Sequence, residues 1–428
     1  MALDRREFLK AAGAQAGLLA VAPAAAPTAL EAVLSERRAP HPGTRADEVV
    51  VIGAGAWGGW TALHLQQLGA SVTLVDQYGP GNSRATSGDE TRGIRTAYGP
   101  KEQWSRWASE AIRRWQQWNE EWSRDLRMQL FFTTGDLIMR PAWDAFLEDT
   151  SKVWDVIGVR YERITPDEAR YRHPMINLDG IEAVLYEPDA GVARARRSCE
   201  AVAEVFRQKG GRIVTGHATV GTREAGRAVD VALAPGEPLR AAHYVFACGP
   251  WLAKALPDVM TNRLRTPLGS VFYFGVPATD QRFTYPNIPS YNFPGVTGWA
   301  ALPPDHRGFR VRTGGSGGET DPDLSSRWIA EENHVRARTF LTERFPLLKD
   351  APIVQTHACH YEFSVSREFI VDRHPELDNV WIAGAGNAEG FKMAPVAGEY
   401  VARRVLGLPT DPALDEAFKL SPDTFDIG

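Results

Sequence analysis

Cysteine is scarce: Cys199, Cys248 and Cys359 are the only three in 428 residues. Three thiols cannot build a disulfide framework, and their spacing matches no zinc-ligand pattern. Basic residues are not in excess either. Lys and Arg number 48 against 53 Asp and Glu, a net charge of −5, so the basic footprint of a nucleic-acid-binding protein is missing. No apolar run is long enough to span a bilayer as a helix, and no internal repeat is visible. What remains is 43% hydrophobic and 24% charged, ordinary for globular protein and long enough for two domains.

The first stretch does not read as part of that fold. "LDRREFLKAAGAQAGLLAVAPAAA" carries Arg5 and Arg6, then Phe8-Leu9-Lys10, a weakly apolar run and small residues suited to cleavage. This resembles a twin-arginine export signal. The expectation is a signal and linker over residues 1–45, handling by the twin-arginine machinery, and a periplasmic or secreted destination.

The strongest local signal follows, in "DEVVVIGAGAWGGWTALHLQQLGASVTLVDQ". A β-branched run to Ile52 predicts a buried parallel strand. Gly53, Gly55 and Gly58 come next, then a helical pattern to Leu68 and a strand from Ser71 ending in Asp76, 23 residues after Gly53. In such an arrangement the first glycine permits the tight turn, the second lets backbone N–H groups approach a diphosphate, and the third lets helix and strand pack closely. The acid at the end of the second strand can hydrogen-bond a ribose hydroxyl. These residues predict a dinucleotide site without separating NAD from FAD. The tryptophans crowding the first third (Trp57, Trp60, Trp104, Trp107, Trp115, Trp118, Trp122) recur at roughly helical spacing and are expected to cover core.

Near the other end stands "AEGFKMAP", residues 388–395. Lys392 lies between Phe391 and Met393, after a glycine-rich turn and before a helix expected over 393–406. A helix N-terminus is the wrong end for a cation, and burying an ammonium is costly unless something negative meets it. Lys392 therefore needs a route to water or an anionic partner.

Two stretches carry a family resemblance. "SGDETRGIRTAYG" (87–99) and "CHYEFSVSREFIVDRHPELDNVWIAGAGNAEGFKMAPVAGE" (359–399) are similar to the ends of the FAD-dependent amine and amino-acid oxidases of the D-amino-acid oxidase group, near monomeric sarcosine oxidase. The resemblance spans about 46–405 and implies a fold of mixed α/β and α+β type. A discontinuous FAD-binding Rossmann-like domain would comprise 46–130, 190–262 and 364–414. An antiparallel-sheet substrate domain would fill 131–189 and 263–363, and 415–428 would form a tail. By resemblance, Gly53, Gly55, Gly58 and Asp76 hold the ADP half of FAD, and Arg92 lies near the flavin. Backbone N–H groups of Gly386 to Gly390 face the flavin, and Arg95 with Lys392 grips a substrate carboxylate. Cys359 aligns with a cysteine bonded covalently to the flavin, while Cys199 and Cys248 read as small core residues, Cys248 where a strand meets a glycine turn near the cofactor.

Arg310 stands where the family's oxidases place a lysine that speeds reaction with oxygen, which leaves open both an oxidase and a dehydrogenase passing electrons to a quinone or carrier protein. Gly88 and Gly314 replace histidines that crowd the flavin, implying a substrate larger than N-methylglycine. Phe272, Tyr273, Phe274, Tyr291 and Trp299 are candidates for the pocket wall or for core. The reaction implied is hydride transfer from a carboxylated secondary amine or amino acid to flavin N5, then imine hydrolysis, with O2 or another acceptor reoxidising the flavin and no metal involved. A flavoprotein that binds a ligand without turnover is the alternative outside the enzyme class.

Overall fold

The computed structural model describes residues 45–304, 306–314 and 321–426. The paired arginines and the apolar run lie outside the described residues. The β-branched run after Asp47 forms the strand Glu48–Ile52, in which Val49, Val50 and Val51 are all buried. A strand buried on both faces belongs inside a parallel sheet. Its neighbours are Ser71–Asp76 on one side and His243–Phe246 on the other, both parallel. The full order of this six-stranded sheet is Ile370–His374, Leu377–Gly384, His243–Phe246, Glu48–Ile52, Ser71–Asp76, Arg212–Thr215. Only the edge pair Ile370–His374 and Leu377–Gly384 is antiparallel.

A second sheet has eight strands, in the order Ile353–His360, Leu268–Phe274, Phe309–Thr313, Val296–Trp299, Ser290–Phe293, Asp136–Arg140, Ala183–Glu187, Glu162–Ile164. All its pairs are antiparallel except Ser290–Phe293 with Asp136–Arg140. A Rossmann-like sheet beside an antiparallel one is the class the sequence implied. A small sheet of Arg92–Ile94, Gly191–Ala193 and Phe131–Thr133 carries Arg92 and, just beyond its end, Arg95.

Three helices position the site: α1 (Ala56–Gln67), α2 (Glu102–Leu126) and α3 (Gly390–Leu406). All seven of the early tryptophans are buried in one core with α3. Trp60 of α1 stacks on Trp118 of α2 with ring centroids 3.5 Å apart, and on Trp122 at 5.5 Å. Two indoles also act as donors: Trp57 Nε1 bonds Gly390 O and Trp115 Nε1 bonds Lys392 O, each at 3.0 Å. Helix α3 begins at Gly390, three residues before the expected start. A proline at the first helical position would lose nothing, because its N–H is unpaired there in any case. Here Pro395 sits further in, at the cost of one i→i−4 bond, while its own carbonyl accepts His64 Nε2 at 3.0 Å. Lys392 is thus inside the first turn of α3.

Phe272, Phe274 and Tyr291 pack in the core of the second sheet. Replacing Trp60 by Ala removes the centre of the indole stack and should lower stability by about 3–5 kcal/mol, read from the denaturant midpoint of the apoprotein. Trp328, 85% exposed, should tolerate the same change within roughly 0.5 kcal/mol.

Candidate active site

A cavity of about 390 Å³ lies at the carboxyl edge of the parallel sheet, lined by Gly53, Gly55 and Asp76 together with Arg92, Tyr361, Gly390 and Phe391. The carboxyl edge is where ligands bind in open α/β sheets. Gly53 has φ +103°, and a Cβ there would lie 2.3 Å from Ala247 O. A Cβ on Gly58 would lie 1.7 Å from Gly53 O, so α1 can approach the strand this closely only without a side chain. At Gly55, by contrast, a Cβ would meet only Ser87 Oγ at 3.4 Å; its space belongs to the cavity. Asp76 accepts Ala54 N at 2.7 Å and the amides of Tyr78 and Gly79, each at 2.8 Å, and burial pushes its carboxyl up. A cavity lined by a helix N-terminus, a bare glycine and an acid fits the ADP half of a dinucleotide.

Another part of the lining is built by the turn 384–390. Ala385, Asn387 and Ala388 all have positive φ, 55°, 48° and 60°, a conformation that costs of order 1–3 kcal/mol per non-glycine residue and that clusters at functional sites. Asn387 helps hold it, donating to Ala385 O at 2.7 Å and to Glu368 O at 2.9 Å. Gly386, Ala388 and Gly390 line the cavity, and Gly386 N donates to the buried Glu362 at 3.2 Å. Arg92 reaches the same wall, donating to Thr86 O at 2.7 Å with its guanidinium 6.0 Å from the Phe391 ring.

Arg95 and Lys392 come together, and a carboxylate lies with them. It belongs to the protein. Lys392, only 3% exposed, is ion-paired with Glu389 Oε2, which also accepts Tyr98 OH at 3.2 Å. Burial acts to raise the Glu389 carboxyl, but Lys392 and then Arg95 outweigh it and hold it below its usual range. Burial in turn pushes Lys392 down to about 8, opposed by Glu389 and helped by Arg95. Arg95 Nε is buried with no hydrogen-bond partner among the described residues. Beneath Arg95 sit two further acids. Asp136 and Glu187 face each other across adjacent strands. Burial raises Asp136 to about 6 against the pull of Arg95, and raises Glu187 to about 8, although Thr96 N and Oγ1 both donate to it.

Arg95, Lys392 and Glu389 lie behind the cavity wall rather than on it, and Arg310 and Cys359, placed elsewhere, do not line it either. Arg310 is buried, pairs with Asp89 Oδ2 at 3.0 Å and lies 4.0 Å over the Trp299 ring. Tyr273 OH donates to Asp89 Oδ1 at 2.9 Å, and Trp299 Nε1 donates to Thr91 Oγ1 at 2.9 Å. Tyr273 and Trp299 therefore brace this ion pair; they do not line the main cavity, though both line a separate small pocket of about 20 Å³. Burial would raise Asp89, yet Arg310, with His357 and Arg92, holds it at about 2. Cys359 is fully buried on the strand Ile353–His360, opposite Gly269, two residues before the cavity residue Tyr361. Cys199 is core, as expected, whereas Cys248 is half-buried and lines the cavity. Gly88 does not open space for a larger substrate: a Cβ there would lie 2.2 Å from Asn82 O.

Sequence reasoning did not find Glu389, Asp136, Glu187 or Asp89. Glu389 stands three residues before Lys392, the spacing of a helical ion pair, and was legible on that ground. The pairing of Asp136 with Glu187 depends on strand register and was not.

A dinucleotide cavity on a Rossmann-like sheet, opening toward an antiparallel domain, defines a flavoprotein-type oxidoreductase architecture. The family described as "FAD dependent oxidoreductase" (DAO) matches residues 48–404, and the chain belongs to that family. Peroxisomal sarcosine oxidase of Homo sapiens is 28% identical over 400 residues, covering 87% of this chain and 95% of the relative. Among solved structures, glycine oxidase from Bacillus cereus ATCC 14579 superposes with a TM-score of 0.72 at 18% identity, over 89% of this chain and 99% of that one. L-proline dehydrogenase from P. horikoshii gives 0.75 at 21% identity, over 88% and 100%. Both structures share the fold.

Glu187 makes a pH prediction. Folded, it keeps its proton up to about pH 8; unfolded, it loses it near the usual 4.5. The folded state binds more protons in that window, so this group's contribution to stability falls as pH rises from 4.5 to 8, by at most about 1.4 kcal/mol per pH unit. Glu187→Gln removes the term. Between pH 5 and 8 its melting temperature should fall less, or rise more, than the wild-type value; identical slopes would contradict the assignment.

Proposed function

We propose that the chain is an exported FAD-dependent oxidoreductase that oxidises the C–N bond of a carboxylated secondary amine or amino acid. The carrying observation is that Lys392 pairs with, and Arg95, nearly 300 residues away in sequence, acts electrostatically on, one carboxylate beside the turn that lines the cofactor cavity. In this reading Gly53, Gly55, Gly58 and Asp76 hold the ADP half of FAD, and Arg92 and the Gly386–Gly390 turn hold its ring. Bound there, FAD supplies the redox chemistry by taking a hydride equivalent from the substrate carbon at N5. The guanidinium of Arg95 binds a substrate carboxylate as a fork and the Lys392 ammonium as a point charge. Together they fix which carbon is presented, which is the protein's main contribution to rate. The surrounding Phe391, Met393 and Tyr98 exclude water, and the imine hydrolyses after release.

The sarcosine oxidase relative supports an amine substrate and oxygen as acceptor. A second reading, a dehydrogenase using a quinone or carrier protein, is favoured by one observation: the charge of Arg310, at the position the resemblance gives to an oxygen-activating lysine, is already neutralised by Asp89. Photoreduced protein mixed with air separates them. Reoxidation complete within a second supports the oxidase, and reoxidation over minutes supports the dehydrogenase. The Arg5-Arg6 motif supports export to the periplasm, which fractionation of cells carrying an Arg5→Lys/Arg6→Lys variant tests.

Lys392→Met should weaken substrate binding by roughly 10- to 100-fold, the worth of one charge-assisted hydrogen bond, with FAD occupancy unchanged. Equal loss of substrate and FAD would count against the clamp. Covalent attachment through Cys359 predicts that acid-precipitated protein keeps its yellow colour in the pellet. Colour in the supernatant excludes that bond while leaving FAD in place.

A further inference from the structure

One acid in the cavity wall has no ion-pair partner. Three carboxyls line the cavity: Asp76, Asp323 and Glu362. Asp76 is met by three backbone amides, and Asp323 by Lys254 at 2.7 Å and Trp251 Nε1 at 2.8 Å. Glu362 is 8% exposed, and among the described residues no cation pairs with it. Its neighbours are Gly386 N, 3.2 Å from Oε1, and Thr86 Oγ1, 3.3 Å from Oε2. Two glycines that line the cavity leave the carboxyl bare. A Cβ on Gly249 would lie 3.8 Å and 3.9 Å from its two oxygens, and one on Gly386 would lie 3.3 Å from Oε1.

The Thr86 contact indicates which protonation state fits. A threonine hydroxyl has one proton to give, and His360 O, 2.8 Å away, is the closer acceptor. A carbonyl can only accept, so that proton is committed to it. The approach of Glu362 Oε2 to Thr86 Oγ1 is then a hydrogen bond only if the carboxyl carries a proton and donates it. Burial favours the same state by pushing the Glu362 carboxyl up. The ionisable groups around it do not reverse this. Arg84 and Asp89, either side of Thr86, pair with Asp323 and Arg310. Glu389, beyond Gly386, pairs with Lys392. The His360 ring bonds Ser325 Oγ at 2.9 Å, and burial pushes up the Cys248 thiol and the Tyr361 phenol. Arg92 keeps its full charge while donating to Thr86 O, yet at Glu362 burial dominates.

We propose that Glu362 is a cofactor-binding residue that works as a neutral carboxylic acid: Oε1 stays on Gly386 N, and Oε2 donates its proton to an oxygen of FAD. An ionised Glu362 would turn lone pairs toward that oxygen and repel the diphosphate that shares the cavity. FAD therefore binds the protonated form best, and its affinity is linked to one proton. The inference rests on the cofactor assignment alone, so the substrate clamp can fail without touching it.

The test dialyses the full-length, FAD-loaded protein to equilibrium against graded FAD between pH 5 and 8. The parent carries Cys359→Ala, so that no covalent bond masks release. Its Kd for FAD should rise with pH as the carboxyl of the emptied cavity, raised above its usual 4.5, ionises. The limit is about tenfold per pH unit for one proton. Glu362→Gln keeps an acceptor for Gly386 N and a donor for FAD, and so copies the protonated acid. It should match the parent within about threefold at pH 5, lose the rise, and bind FAD more tightly than the parent at pH 8. Glu362→Ala should also lose the rise but bind about tenfold more weakly at pH 5, having no donor. Asp76 and His217 also line the cavity and are unaltered in both variants, so a rise that persists in both overturns the proposal. A Glu362→Gln protein that is folded by circular dichroism yet holds no FAD overturns it too, because the copy of the binding form then fails to bind. If only Glu362→Ala folds, its profile decides. If neither variant folds, the parent decides: a Kd that rises with pH upholds the linkage and a flat one overturns it.

Discussion

A buried ammonium at the start of a helix is the constraint around which the site is arranged. Lys392 has a position that helix electrostatics disfavours and burial that its own hydration opposes. Glu389 resolves both: its carboxylate stands at the helix N-terminus, the end where negative charge is favoured, and pairs with the ammonium one turn later. Removing one partner of such a pair typically costs about 3–5 kcal/mol because it leaves the other charge stranded. The pair is thus a fixed element around which Tyr98 and Arg95 are set. Its cost in desolvation is the mark of a group kept for function rather than for stability.

The scaffold explains how this pair reaches a cofactor. Helix α3 begins where the last strand of the parallel sheet ends, across a turn with three non-glycine residues in left-handed conformations. The indole stack then anchors that turn from below. Trp57 and Trp115 donate to the carbonyls of Gly390 and Lys392, so an indole beside the glycine fingerprint and another from α2 hold the backbone where the turn enters α3. Local strain of this kind survives only when neighbours over-determine it, and here a hydrophobic core does so. The first and last hundred residues of the fold are in this sense one unit, with the antiparallel sheet supplying Asp136, Glu187 and Arg312 from the other side.

Much of this was legible in the sequence because each signal was local. The strand, glycine triplet, helix and acid from Glu48 to Asp76 follow one another with little intervening chain, and the structure places them within a residue or so of expectation. The tryptophan spacing on α2 was also local, and its buried face followed. The candidate site was readable only as far as single residues: Lys392 could be marked as a cation in an unusual place, Arg95 only through the family resemblance, and both act on Glu389. What they converge on was hidden. The facing of Asp136 and Glu187 is set by strand register, and the capture of Arg310 by Asp89 joins residues 221 apart. Helix α3 begins three residues earlier than expected, with Pro395 inside it.

The central claim is that a cation pair beside the cavity orients a substrate carboxylate against FAD. A crystal structure of the FAD-loaded protein with a bound, non-oxidisable amino-acid analogue tests it most directly. The account predicts the isoalloxazine ring against the Gly386–Gly390 turn and the ligand carboxylate in contact with Arg95 and Lys392. A ligand seated elsewhere, with the Lys392–Glu389 pair closed and Arg95 facing away from it, would contradict the account.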